Sequence, residues 1–247
     1  MKKLAARIVI LFLFVPVLLK SQNTRIQYER TVNWSKVVQS LSFMSKEEKD
    51  RMAMGWGRGK AVPDPYVLTI DSVQAVYEID EDNLPRSEYN WRREKEIVHT
   101  QLISKKKLDY VEVLGKSFVF DEDLPKIKWK ILNEIKEVAG YVCMKAETMD
   151  TVRNLKITAW FTHEIPVSLG PENYYGLPGL ILELSKNDDC AVITATKINL
   201  KNWNQPIKLP KKKKGKKTTT AKYNALISKH IRESIAAQRN PYWSIHY

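Results

Sequence analysis

The sequence predicts an α+β, predominantly β protein: a meandering antiparallel sheet, open like a half-barrel, with a short helix after the first strand and a packing helix near the C-terminus. Three observations lead there. The chain has 247 residues, 43% hydrophobic and 28% charged, enough for one substantial core and too few to need two domains. Eleven Tyr, seven Trp and six Phe, with abundant Val, Ile and Thr, favour strands packed on a core. Short alternating segments separated by turn residues are followed by one long segment of helical period, the order expected of strands capped by a helix. With only nine Gly, a Gly-rich repeat is excluded.

The N-terminus carries an address. Lys2, Lys3 and Arg7 precede a 12-residue apolar run from Ile8 to Leu19, too short for an ordinary bilayer span and suited to a signal-peptide core. Residues 1–21 are therefore expected to be removed, with the cut between Ser21 and Gln22, leaving a single domain over 22–247 that is soluble in the periplasm or outer envelope. An uncleaved anchor is the competing reading, because Leu19 is larger than signal peptidases prefer. No Cys stands near the cut to accept a lipid.

Removing the leader lowers the formal charge from +13 to +9. The Lys-rich loop 208–218 contains six further positives, Lys211 to Lys214 with Lys216 and Lys217, without which the mature chain carries +3. The basic character is thus local. Such a run suits peripheral contact with anionic lipid. It lacks the interleaved aromatics of a nucleic-acid groove, so no nucleic-acid partner is expected.

The elements follow in order. Residues 25–34 form a first strand with Ile26 and Tyr28 on one face. Ser45 and Glu48 make a capping box that starts a helix over 46–54, stopped by Gly55, Gly57 and Gly59. Two strands lie between Pro65 and Asp80, a charged loop spans 81–94, and strands follow at 96–103, 109–114 and 116–121, the last two turning at Gly115. In 126–138 the period fits both a strand and a helical face; a strand through Ile131 is favoured. Segments 141–148 and 155–162 form a hairpin, as do 179–184 and 190–200. A helix over 219–238 presents Leu226, Ile227, Ile231 and Ile235 as an apolar stripe.

The segment GPENYYGLPGLILEL (170–184) resembles the signature of the GLPGLI family, with Gly176, Leu177, Pro178, Gly179, Leu180 and Ile181 intact. AWFTHEIPVSLGP (159–171), GYVCMKA (140–146) and Trp129 also resemble that family's pattern, while His163 stands where the family often has Pro. The resemblance extends in order over about 24–238 and is strongest from 127 to 184. It implies an exported, mainly β envelope protein and does not supply a reaction. Physically, Pro178 fixes φ and Gly179 can supply the positive φ of a type II turn that aims a strand, with Leu180, Leu182 and Leu184 facing the core. Tyr174, Tyr175, Trp160 and Trp129, amphipathic aromatics near this turn, are the candidate ligand-binding residues.

Catalytic motifs are missing. His163-Glu164 begins an H-E-x-x-H zinc motif, but Val167 occupies the second ligand position. The stretch 55–59 lacks the ending of a phosphate loop, and the acidic clusters at Glu78 to Asp82 and Asp121 to Asp123 lack EF-hand spacing. No cofactor is expected. The two cysteines, Cys143 and Cys190, permit one disulfide, which would add about 4 kcal/mol; the alternatives are a buried thiol at Cys143 with an incidental Cys190, or a soft-metal site using Met144. The favoured function is non-enzymatic binding or carriage of an apolar or peptide ligand or a partner protein, with an envelope hydrolase or soft-metal handling as alternatives. An acidic or His cluster converging in one cleft would favour an enzyme, and a large apolar cleft a carrier.

Overall fold

The computed structural model describes residues 23–56, 61–84, 95–203, 207 and 214–247. The expected leader, residues 57–59, most of the 81–94 loop and Lys211 to Lys213 lie outside the described residues.

Fourteen described strands form one open, mixed sheet. The first meander comprises β1 (Asn23–Val32), β2 (Asp64–Ile70), β3 (Gln74–Ile79), β4 (Glu96–Gln101), the short β5 (Lys106–Lys107), β6 (Tyr110–Val113) and β7 (Lys116–Phe120). After the two-residue β8 (Glu122–Asp123), the second contains β9 (Lys130–Val138), β10 (Tyr141–Asp150), β11 (Leu155–Thr162), β12 (Leu180–Lys186) and β13 (Ala191–Trp203). Antiparallel pairing of β1 with β13 joins the two meanders. The sheet ends at β9 on one side and at β14 (Lys216–Thr218) on the other.

Two helices follow β1: α1 (Trp34–Gln39), which was not anticipated, and α2 (Lys46–Trp56). The capping box is formed as read. The Ser45 backbone N–H donates to Glu48 Oε2 at 2.8 Å, and the Glu48 N–H donates to Ser45 Oγ at 3.2 Å. The helix runs past its expected exit and includes Gly55. Helix α3 (Thr220–Ala236) packs Ile227 and Ile231 into the core, but Ser234 rather than Ile235 occupies its next buried position.

Several expectations need correction. Residues 130–138 are strand throughout rather than only to Ile131; Ile131 and Ile135 remain 47% and 70% exposed, so the helical stripe they spell has nothing to pack on. Meandering antiparallel pairing is broken at one edge, where β14 runs parallel to β7 and converts part of the Lys-rich loop into strand. Gly179 does not form a type II turn. Its N–H donates to the Leu177 carbonyl at 2.8 Å across Pro178, a γ-turn closed by two residues. Glycine is needed there because an added Cβ would stand 2.0 Å from the Thr162 carbonyl oxygen. Leu180, Ile181, Leu182 and Leu184 are all buried, so β12 is covered on both faces rather than alternating. Its first residues are held by the preceding loop: the Leu180 and Ile181 N–H groups donate to the carbonyls of Ile165 and Leu169.

Among the described residues, no helix is long and apolar enough to cross a membrane. Gly179→Ala is predicted to cost about 3 kcal/mol or more through this backbone clash, whereas Gly55→Ala, whose Cβ meets nothing within 4 Å, should add about 0.5–1 kcal/mol. Urea denaturation midpoints of the two variants check both signs.

Candidate functional site

The inner face of the sheet carries Tyr28 and Arg30 from β1, opposite Tyr66 and Asp64 of β2. Tyr66 and Tyr77 stack at 5.1 Å, and Tyr28 meets Tyr77 edge-on at 6.1 Å. The Tyr28 hydroxyl donates to the Ile181 carbonyl at 2.8 Å. Glu172, 3.7 Å from Arg30 on this face, lines a cavity of about 280 Å³. Its floor and walls come from β4, β6, β10 to β12, the 170–176 loop and α3. A second cavity, about 180 Å³, shares Glu96 and His246 with it.

Ionisable groups dominate the first cavity. Glu172, in the left-handed region at φ 54°, accepts from Lys186 Nζ at 2.6 Å and lies 3.7 Å from Arg30 Nε. Burial works to raise the Glu172 pKa, but Lys186 and Arg30 outweigh it and hold the carboxyl below its usual range. Lys186 is drawn below the ordinary ammonium value by burial, against the attraction of Glu172. The 2.6 Å contact is best accounted for with both groups charged. Alongside, Arg153 pairs with Asp150 at 3.1 Å.

Across the cavity stand two carboxyls in a different state. Glu96 opposes Val111, and Asp109 lies two residues before Val111. The two are therefore diagonal neighbours, roughly 7–8 Å apart at Cα. No described residue forms an ion pair or hydrogen bond with Glu96. Burial pushes its pKa up to about 7, with Glu172 adding to the effect. Asp109, 1% exposed, is pushed by burial to about 6 against the pull of Lys107 at 3.6 Å. His246 is held neutral by burial, which lowers it to about 4. Tyr174 is raised well above the usual phenol value by burial and so remains an O–H donor.

The expected ligand-binding aromatics do not form one group. Trp129 and Tyr174 lie 6.2 Å apart, and Trp129 Nε1 donates to the Tyr175 carbonyl at 2.8 Å. The Tyr175 hydroxyl donates to the Pro125 carbonyl. Trp160 belongs to the outer face, beneath Lys136 at 4.5 Å, in a charged row with Glu183 and Lys145. Only Tyr174 of the four lines the cavity that holds Glu96; Trp129 lines a separate surface depression with Lys128 and Lys156. The signature residues 176–181 position β12 and its loop: Leu177 is buried and Gly176 approaches the Trp129 ring.

Cys143 and Cys190 are both free and buried. Cys143 neighbours Met144, whose row crosses Phe161 to Ile181, while Cys190 adjoins Ala191, opposite Lys186. Five residues along β12 are roughly 16 Å, beyond the Cα separation a disulfide spans. His163 and Glu164 sit in the turn after β11, not on a helix. The acidic turns are structural: Asp80 pairs with Arg25 at 2.8 Å, and Glu122 accepts from the Thr220 N–H at 3.0 Å and from Lys107 at 3.2 Å.

Only Tyr174 among these cavity groups was foreseen. Glu96, Asp109, Glu172, Lys186 and His246 are scattered singly through the sequence, and no spacing links them.

A family model described as a protein of unknown function, Porph_ging, matches residues 148–183. That stretch contains Asp150, Arg153, Glu172 and Tyr174 as well as the signature turn. No curated protein matches the chain. Among solved structures, PNGF-II in a P21 crystal is similar with a TM-score of 0.55 at 15% identity, over 83% of this chain and 33% of that one. PNGF-II in a C2 crystal gives 0.52 at 15% identity, over 83% and 32%. The likeness is one of fold, and the chain spans about a third of the length of PNGF-II.

Two predictions follow from the charge arrangement. Because the Glu96 pKa is raised in the folded state, the contribution of Glu96 to stability falls as pH rises from about 4.5 to about 7. Glu96→Gln should therefore be more stable than wild type at pH 8, by up to about 3 kcal/mol, with the difference vanishing at pH 4; urea titrations at both values check this. Glu172→Gln, which leaves Lys186 and Arg30 buried without their anion, should cost about 3–5 kcal/mol in the same assay at pH 7.

Proposed function

We propose that the chain is an exported binding protein whose inner cavity takes a polar, hydrogen-bonding ligand such as a peptide segment. The observation carrying this reading is Glu96, a carboxyl facing a cavity of about 280 Å³ beside Asp109 and Tyr174, with no described partner of its own. Acceptors at the two carboxyls, an O–H donor at Tyr174 and amide groups at Asn173 and Asn224 suit a ligand that offers both donors and acceptors. An apolar cargo fits poorly, because it would strip water from these groups without replacing its hydrogen bonds.

Export is supported by the basic entry and apolar run before Ser21, and residues 170–184 support membership of the GLPGLI family. Lys214, Lys216 and Lys217 are exposed, which favours a peripheral contact with anionic lipid at the β14 edge.

A second reading, hydrolysis by acid–base chemistry, is favoured by one observation: Glu96 and Asp109 are both pushed toward neutral pKa values, where a carboxyl can give or take a proton.

Native mass spectrometry of the protein purified from its own cells, compared with the denatured sample and with Glu96→Gln, tests both readings. An intact small polar molecule or peptide bound to wild type and reduced at least tenfold in the variant is expected. Recovery of a cleaved product would transfer support to hydrolysis. A bare mass in both samples, with no thermal stabilisation by a diverse peptide mixture, would refute the binding proposal.

A further inference from the structure

The last residues of the sequence lie in a trough of the same inner face and are held there in an unusual way. After α3 the chain turns at Gln238 (φ 52°). Asn240 Oδ1 then accepts from the Tyr242 N–H at 2.9 Å, and Pro241–Trp243 make one 3-10 turn. Tyr242, Ile245 and Tyr247 point inward and are buried, Tyr247 to 2% exposure, while Trp243 and Ser244 face out. The Tyr242 and Tyr247 rings meet edge-on at 4.5 Å.

The trough grips this segment mainly by side-chain tips. Lys186 Nζ and Arg30 Nη2 donate to the Tyr247 main-chain oxygen at 2.7 and 3.4 Å. Arg153 Nε donates to the His246 carbonyl at 3.3 Å, and Asn187 Nδ2 to the Tyr247 hydroxyl at 3.1 Å. The Tyr242 hydroxyl donates to the Arg153 carbonyl at 3.4 Å, and the His230 ring lies 3.1 Å from the Pro241 carbonyl. No strand ladder between this segment and the sheet is described. Three cationic side chains converge on two consecutive main-chain oxygens while Tyr242, Ile245 and Tyr247 are buried beside them, so the trough grips the segment as a groove grips a bound peptide, by its main chain and a few anchoring side chains. His246 also walls both cavities, so withdrawal of the segment would remove a shared partition.

We infer that this trough is a peptide-binding site occupied in cis by residues 240–247, and that its ligand class is a peptide with one turn followed by a short tail, carrying aromatic, aliphatic and aromatic residues at the spacing of Tyr242, Ile245 and Tyr247. Release of the segment, the step that must precede exchange for a peptide in trans, opens the cavity at Glu96 from the His246 side. The inference stands apart from the identity of any molecule bound at Glu96, because it concerns only what fills the trough.

The test keeps the whole chain. A protease recognition sequence is inserted in the turn at 237–239, the folded protein is cleaved, and retention of the released fragment is followed by gel filtration and native mass spectrometry. Isotope-labelled synthetic NPYWSIHY is then added in excess. The fragment should stay bound after cleavage, exchange for the labelled peptide, and exchange at least tenfold less well for the same peptide carrying Tyr247→Ala. Loss of the fragment with collapse of the circular dichroism spectrum would show a structural element rather than a ligand site and overturn the inference. So would a retained fragment that never exchanges, or equal exchange for both peptides.

Discussion

The contact between Glu172 and Lys186, with Arg30 beside it, is the constraint on which the inner face depends. It joins three parts of the chain that no backbone ladder joins directly: β1, the end of β12 and the loop before the signature turn. Its geometry carries a local cost, since Glu172 holds a left-handed backbone without being glycine, worth of the order of 1 kcal/mol or more. A 2.6 Å ion pair within the protein offsets that cost only because both ends are further satisfied, Lys186 by the Tyr247 oxygen and Glu172 by Arg30. Such an arrangement adds little net stability compared with packed apolar residues, yet it strongly penalises every alternative placement of the loop. The loop in turn supplies the Ile165 and Leu169 carbonyls that receive the first amides of β12.

Charge balance within the cavity follows from that pairing. Glu172 takes Lys186 and Arg30, and Asp150 takes Arg153, so Glu96 is left with another carboxylate, Glu172, acting on it across the cavity. The Glu96 pKa is raised first by its own burial and then by Glu172, with the pull of Lys186 too weak to cancel them. Asp109 shares that cause but has a cation close by. It is buried outright and keeps Lys107, whose ammonium also lies 4.5 Å over the Phe120 ring and contacts Glu122. The same Glu122 caps the start of α3 through Thr220, so the helix that closes the cavity is tied to the network that tunes it.

Local signals in the sequence proved readable where short-range physics decides the outcome. The Ser45 and Glu48 capping box, the alternation that buries Ile26 and Tyr28, and the hairpins of the second meander are set by neighbours within a few residues. Gly179 was rightly singled out but for the wrong reason, because the carbonyl of Thr162 that excludes a side chain is 17 residues away in sequence. The cavity was illegible for the same reason on a larger scale. Arg30, Glu96, Asp109, Glu172, Lys186 and His246 come from separate strands, a loop and the final segment, and a lone Glu or Lys in a strand reads as an outward-facing charge. Asp121 to Asp123 shows only the absence of EF-hand spacing in the sequence, and the role of Glu122 rests on Thr220 and Lys107, which lie far away in the chain.

The stretch matched by the family model, 148–183, contains one half of this arrangement: Asp150, Arg153, Glu172, Tyr174 and the turn that aims β12. The other half, Arg30, Glu96, Asp109 and His246, lies outside it. The 176–181 part of that stretch is explained by architecture, since Gly179 and Leu177 would be required to seat β12 whatever the cavity held. Chemistry specific to this chain must be sought where the signature stops, in the side chains that β1, β4, β6 and the final segment bring to Glu172. A protein sharing only residues 148–183 would share the loop and its buried anion, but it would inherit neither the Glu96 carboxyl, which has no partner among the described residues, nor the segment that fills the trough.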